Sequence, residues 1–331
     1  MLRVEQISSK FPFSEAKNSM ESANHGRDYD TYTAKMDAAV EAKVASLFSR
    51  FNIFFDGMVL VDAGSGTGLI AERIAQECES IGVSPQVFAI DISHAYSEFF
   101  SQQQSITTLF GDAAEQLFPD DSVAIKYYST SGHEIASFGG GASRMVTAIQ
   151  NSFRELQPGG QLLIRDFVKP ENTGSILMEL SETNGINQNQ ISLDTTIEHQ
   201  SLSTLALFKQ FHREFAGGNA FAFEEITIDG KTLIVLEPEW AYEFYMRKEY
   251  TNNWKNEIHE KYSYWTLAEA KDILEVAGFE NVQVEPDPNQ YMLSNWLEGQ
   301  VNLYQQNQAG TLELLPFPAT HMVISGNKPL R

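Results

Sequence analysis

Residues 59–70 read Val-Leu-Val-Asp-Ala-Gly-Ser-Gly-Thr-Gly-Leu-Ile, and the order of residue types in them decides the fold. An apolar run stops at Asp62, breaks into the alternating glycines Gly64, Gly66 and Gly68, and gives way to an amphipathic stretch. That is the pattern of a strand, a tight turn and a helix start. A backbone that turns this sharply beside a ligand has no room for Cβ atoms and visits positive φ, and glycine does both without steric cost. The N–H groups at the start of the new helix then face the ligand.

The spacing narrows the ligand. The dinucleotide fingerprint G-x-G-x-x-G/A puts its third small residue one position later, where this chain has Leu69. A second apolar run, Val87–Ile92, carries Asp91, 23 positions beyond Gly68. A carboxylate there can accept both hydroxyls of a ribose, and a helix-capping role ahead of Ser93 is the competing reading. A third run, from Ile106, is followed by Gly111, Asp112 and Ala113. A fourth spans Ser122–Ser129, and a helix from Ala142 turns Met145, Ile149, Phe153 and Leu156 inward at helical spacing. Pro158-Gly159-Gly160 closes that helix and residues 161–167 form a fifth strand. Thr266–Ala277 reads as a helix ending at Gly278, and residues 280–286 and 321–329 read as two last strands.

The motif D-x-G-x-G-x-G, with its acid two residues before the first glycine, resembles the first motif of class I S-adenosylmethionine (SAM)-dependent methyltransferases. The helix, Pro-Gly-Gly turn and apolar strand follow in that family's order. The resemblance covers Tyr29–Gln157, then Gly159–Val168 and the C-terminal pieces. It implies an α/β fold with a doubly wound, seven-stranded, mostly parallel sheet whose last strand is antiparallel. It also implies SAM as cofactor, held by Asp62, Gly64, Ser65, Gly66 and Gly68 in the loop, Asp91 and Ile92 at the ribose, Asp112 and Ala113 at the adenine, and Ser129. One departure is plain: no Asp/Asn-Pro-Pro-aromatic sequence follows the fourth strand, where Ser129 and Thr130 stand. The Ser-x-x-x-His-Glu pattern from Ser129 to Glu134 is similar to a group of uncharacterised bacterial methyltransferases with a large lid.

Composition sets outer bounds. A chain of 331 residues, 42% hydrophobic, has ample material for a packed core. The N-terminus lacks a basic segment followed by a long apolar stretch, and no run approaches the roughly 18 apolar residues of a membrane span. The single cysteine, Cys78, shares a helix side with Ile70 and Ile74 and reads as a small core residue. These features give the expectation of a cytoplasmic protein with no membrane partner. The net charge of −21, from 44 acidic against 23 basic residues, opposes non-specific phosphate attraction. A small-molecule acceptor is therefore favoured, with protein or RNA left open.

Along the chain, residues 1–28 form a polar N-terminal arm and residues 29–168 the SAM-binding core. Thr31–Phe51 place Met36, Val40, Val44, Leu47, Phe48 and Phe51 on one helix face. Arg27, Tyr29 and Tyr32 either close over the carboxylate end of the cofactor or form a surface arm. Residues 169–265 are an insertion, with a helix bearing Leu202, Leu205, Phe208, Phe211 and Phe215, a turn at Gly217-Gly218 and a hairpin about Asp229-Gly230. Residues 266–331 complete the core and carry a second insertion at about 289–318 with Tyr291, Trp296 and Tyr304. Ligands of open α/β sheets bind outside the carboxyl ends of the strands, so the inserted α+β segment is expected to be a substrate lid.

Methyl transfer needs an aligned nucleophile and a group to take its proton. His133 can be a general base near neutral pH, with Glu134 orienting it or binding a cationic substrate group. A loop histidine packed on the cofactor is the alternative. Arg165 and Asp166 either anchor a substrate carboxylate and amine or pair with each other. Trp240–Trp265 holds three of the four tryptophans and five tyrosines. Most of these rings are expected in the core, with Tyr245 and Trp254 facing substrate. No histidine or cysteine spacing suggests a metal. A nicotinamide oxidoreductase fails on glycine spacing, and a SAM-binding interaction module without turnover is the alternative of a different class.

Overall fold

The computed structural model describes residues 29–93, 105–171, 174–187, 198–218 and 220–330, with side chains from residue 39 onward. The N-terminal arm with Arg27, and the side chains of Tyr29, Tyr32 and Met36, lie outside the described residues. In chain order, α1 (Tyr29–Phe48) precedes β1 (Val59–Ala63), α2 (Leu69–Ser80), β2 (Gln86–Asp91), β3 (Ile106–Phe110) and β4 (Val123–Ser129). Then come α3 (Gly132–Phe138), α4 (Ala142–Glu155) and β5 (Leu156–Phe167). The first insertion supplies β6 (Ile176–Leu180), α5 (Thr204–Glu214), β7 (Glu224–Ile228), β8 (Lys231–Leu236) and α6 (Pro238–Arg247). After it follow α7 (Leu267–Ala277), β9 (Glu280–Pro286), β10 (Val301–Gln306), β11 (Leu312–Leu315) and β12 (His321–Asn327).

Two compact units result: residues 1–167, 267–286 and 321–331, and residues 168–266 with 287–320. In the first, the seven strands run in the order β3-β2-β1-β4-β5-β12-β9. The first five are parallel, and β12 is antiparallel to both neighbours. Every residue of β4 is buried, as a strand covered by helices on both faces requires. Its core joins Val40, Val44 and Leu47 of α1 to Ile70, Ile74 and Cys78 of α2 across Leu60, Val87, Ile125 and Leu163 of the strands. Burial pushes the Cys78 thiol up to about 11, so it behaves as a small apolar residue.

The Pro158-Gly159-Gly160 segment is not a separate turn after α4. β5 begins at Leu156, directly after the helix, and its pairing with β4 jumps from Val123↔Leu156 to Ile125↔Gln161. The three residues are a bulge, and Gly159 takes a φ of +80° there.

Strand ends fix where ligands can go. β1 lies between β2 and β4, so the order reverses at its carboxyl end, the usual crevice of an open α/β sheet. Ser129 at the end of β4 pairs with Arg165, and Phe167 at the end of β5 pairs with His321 at the start of β12. Pro286 at the end of β9 pairs with Met322. Both insertions therefore leave the chain at the sheet edge where β1 and β4 end.

The second unit is built on one antiparallel sheet, β11-β10-β6-β8-β7, to which both insertions contribute strands. Ser203 caps α5 by accepting from the Ala206 N–H at 3.2 Å, and Leu205, Phe208 and Phe211 turn inward. Asp229 and Gly230, both at positive φ, make the two-residue turn between β7 and β8. Arg247 is wholly buried, paired with Glu243 and stacked 4.3 Å and 4.6 Å from the rings of Tyr262 and Phe215. Its two terminal nitrogens also donate to the carbonyls of Glu257 and Glu260, so the buried charge is paired and hydrogen-bonded through them. Among the described residues no helix is long and apolar enough to cross a membrane.

Candidate functional site

The glycine loop is a close approach between β1 and the segment after β4. Gly64 has a φ of +78°, and a Cβ on it would stand 2.5 Å from Cβ of Ser131. Ser131 Oγ donates to the Ala63 carbonyl at 2.7 Å, fixing that contact. Gly66 and Gly68 are also left-handed, and Gly68 caps α2 in that conformation. The N–H groups of Gly64 and Ser65 turn to the Ile90 carbonyl, at 2.9 and 2.8 Å, so β2 holds the loop.

Asp91 joins in this. Its Oδ2 accepts from the Gly66 N–H and its Oδ1 from the Ser93 N–H, each at 2.8 Å. A carboxylate has about four lone-pair sites, so these two bonds do not exhaust it. Ile92 beside it is half-buried. Asp112 accepts from the Ala114 N–H at 2.9 Å and pairs with Arg144 at 2.6 Å, while Ala113 is buried.

Polar atoms left without partners gather at the same place. Asp62 is buried, and neither of its carboxylate oxygens has a hydrogen-bond partner among the described residues. The Tyr127 hydroxyl lies beside it, outside hydrogen-bond geometry. Burial, with the Asp91 charge adding to it, pushes the Asp62 carboxyl up to about 8. Ser65 Oγ, Ser129 Oγ and Thr130 Oγ1 are likewise buried and unbonded. Such groups each cost about 1–3 kcal/mol when unsatisfied, so their concentration at the ends of β1 and β4 marks a ligand site. A cofactor with an ammonium, a sulfonium and hydroxyls supplies what these oxygens lack, and the glycine cradle gives it room. The residues fit SAM.

His133 and Asp166 form a buried hydrogen-bonded pair at the same strand ends. Asp166 Oδ1 lies 2.8 Å from His133 Nδ1, and Oδ2 accepts from the His133 backbone N–H at 2.9 Å. An acceptor-only carboxylate assigns the proton to Nδ1 and leaves the lone pair on Nε2. Asp166, expected either to anchor a substrate amine or to pair with Arg165, bonds His133 through both of its carboxylate oxygens. The His133 ring meets Phe167 edge-on at 4.9 Å, and His321 stacks on the other side of Phe167 at 4.8 Å. Arg165 is buried at the strand end, and its carbonyl accepts from the Thr130 N–H at 2.7 Å.

The sequence reading missed three residues of this cluster. Lys43 is buried on α1, and burial together with Arg165 brings its ammonium down to about 7, against the pull of Asp166, Asp62 and Glu134. Its position between Val40 and Leu47, on an apolar helix face, was the available signal. His321 is held well below the ordinary histidine range by burial and by Arg165, Lys43 and His133. Thr130 has a φ of +59°, rare for a β-branched residue, and nothing in the sequence marks it. Trp254 also needs correction: it is buried within the second unit, its indole N–H bonded to Glu214 at 2.6 Å and its ring stacked on His199. Tyr245 is fully buried in that unit as well.

A family model described as a methyltransferase domain matches residues 61–164, which run from β1 to within β5. Among curated proteins no sequence matches the chain. Similar solved structures include the Haemonchus contortus phosphoethanolamine N-methyltransferase 2 with phosphomonomethylethanolamine and S-adenosylhomocysteine, at 14% identity and a TM-score of 0.44. That match covers 87% of this chain and 52% of the other, so the chain spans about half its length. A Thermotoga maritima protein described as a possible histamine N-methyltransferase is 12% identical, covering 93% of this chain and 99% of its own, with a TM-score of 0.43. The match to a methyltransferase domain covers about a third of the chain and falls on the stretch that holds the glycine cradle and the strand-end carboxylates.

Proposed function

We propose that the chain transfers the methyl group of SAM to an oxygen or nitrogen of a small molecule, with His133 as the base that takes the acceptor's proton. The cofactor supplies an electrophilic methyl group. Asp62, Ser65 and Asp91 would hold it, with the glycine loop giving backbone room and Asp112 and Ala113 flanking the adenine. The observation that carries the reading is the His133–Asp166 pair, with His133 three residues past the unsatisfied Ser129–Thr130 hydroxyls.

Asp166 holds the imidazole in one orientation and stabilises the imidazolium formed when Nε2 accepts a proton. Glu134 belongs to the same end of α3, and Arg165 is the residue proposed to anchor an acceptor carboxylate. The inserted unit is proposed as the acceptor lid, because both insertions depart from the strand ends at which this chemistry sits. Tyr245 is its proposed substrate-facing residue.

The test is incubation of the full chain with methyl-labelled SAM and fractionated cell extract, following label into small-molecule, protein and RNA pools. Label in the small-molecule pool that disappears with His133→Gln, while SAM affinity is kept, is the expected result. Label only in protein or RNA, or unchanged turnover in His133→Gln, would overturn it.

A further inference from the structure

Besides Nε of Arg247, two fully buried donors in the second unit, both on aromatic rings, have no partner among the described residues: the Tyr245 hydroxyl and the Trp265 indole N–H. In the same unit Tyr242 and Trp254, equally buried, have theirs satisfied, so burial of a polar ring is not in itself accepted unpaired there. Both unpaired residues are tied to one short piece of chain. The Tyr242 hydroxyl accepts from the Val168 N–H at 3.1 Å, and the Tyr242 ring lies 5.6 Å from that of Tyr245. The next residue, Lys169, donates its N–H to the Trp265 carbonyl at 2.7 Å. Aromatic faces complete the surroundings, with Phe317 at 5.5 Å from Tyr245 and Tyr264 at 4.8 Å from Trp265.

We propose that Tyr245 and Trp265 are the paired donors of a binding site in the inserted unit for a neutral carbonyl oxygen carried on a flat aromatic molecule. Neutral donors in apolar surroundings satisfy a ketone, ester or amide oxygen, whereas a carboxylate would lose its hydration there without a countercharge. Burial alone raises the Tyr245 hydroxyl above its ordinary range, with no charged neighbour contributing. The ring faces favour a flat body at offset or edge-on contact. This rests on the inserted unit being the acceptor lid, since the bound molecule is then the acceptor, but it is tested without turnover.

The experiment uses the full chain with nitrogen-15 in its four tryptophan indoles. Acetophenone is the probe, and ethylbenzene and benzoate are the comparators. The Trp265 N–H resonance is identified by its loss in Trp265→Phe, and each titration is followed by that resonance and by melting temperature. Acetophenone is expected to move the Trp265 resonance and raise the melting temperature, and ethylbenzene and benzoate to bind more weakly. Tyr245→Phe is expected to weaken acetophenone by about five-fold, the worth of one neutral hydrogen bond, while its own melting temperature stays level or rises. A Tyr245→Phe variant that melts lower, with the Trp265 resonance unmoved by acetophenone, would mean that internal water already satisfies these donors, and the site would be discarded. Equal binding of acetophenone and ethylbenzene would discard it too. Should Trp265→Phe fail to fold, the Tyr245→Phe titration still decides. Failure of label transfer to small molecules would remove the transferase reading and leave these readouts intact.

Discussion

Gly64→Ala tests the tightest contact of the site. The added Cβ meets Ser131 Cβ at 2.5 Å and Oγ at 2.8 Å, in a residue whose φ is +78°. The left-handed backbone costs an L-residue about 1–2 kcal/mol. Moving Ser131 aside breaks its bond to the Ala63 carbonyl, about 1 kcal/mol more. The sum, about 2–3 kcal/mol, corresponds to a fall in melting temperature of roughly 5–10 °C in a unit of this size. Gly57→Ala is the control: φ there is +75°, yet nothing stands within 4 Å of a Cβ, so only the backbone contribution applies. Thermal melts and SAM calorimetry on both variants separate the two contributions. The Gly64→Ala/Ser131→Gly double variant, which removes the opposing Cβ, should recover the steric part and show as non-additivity. If Gly64→Ala and Gly57→Ala melt alike and bind SAM alike, the β1 turn is not the close-packed cradle argued here.

Asp166→Asn keeps the shape but presents an amide N–H₂ to one of the N–H groups that Asp166 now accepts, so turnover of the identified acceptor should fall by about 10²–10⁴ with SAM affinity within about two-fold; single-turnover kinetics and calorimetry measure the two separately. Glu155→Gln strips the counterion from Lys126, which is wholly buried 2.7 Å away, and should cost about 3–5 kcal/mol in urea unfolding; adding Lys126→Met should return most of it. In the cofactor-free protein Asp62 titrates near 8 against an ordinary value of 3.8. Between those values the folded state holds a proton that the unfolded chain has released, so this group's contribution is complete at low pH and is lost as pH rises towards 8, by at most about 1.4 kcal/mol per pH unit. Asp62→Asn should flatten the decline of stability from pH 5 to 8; an unchanged slope would show that Asp62 is already ionised.

Local period carried most of the element assignments. The apolar runs at Val59, Val87, Ile106 and Val123 became parallel strands, and the alternation of Glu224–Leu236 about Asp229-Gly230 became a hairpin. What periodicity does not contain is which strand lies beside which. That β12 lies between β5 and β9, and that strands from two insertions over 100 residues apart in places share one sheet, follows from non-local pairing. Pro158 misled for a related reason: Pro-Gly-Gly stops a helix in any context, but whether it then forms a turn or a bulge depends on the β4 backbone opposite.

The site divides along the same line. The glycine loop was readable because its chemistry is contiguous, whereas the partner of His133 was not, because Asp166 stands 33 residues away and reaches it only across adjacent strands. Sequence adjacency offered Glu134 as the neighbour of His133, whereas the carboxylate bonded to its Nδ1 is that of Asp166. On a helix, i and i+1 do not share a face, and on a strand they leave on opposite faces, so neighbours in sequence are poor candidates for a pair in either element. Lys43 follows the same logic in reverse. Three and four residues from Val40 and Leu47, it shares their inward face, and in the interior it enters the charges of Asp62, Asp166 and Arg165 all act on it. A polar residue on an apolar helical face is thus the signal that local reading does carry, and here it marks the α1 contribution to the strand-end cluster.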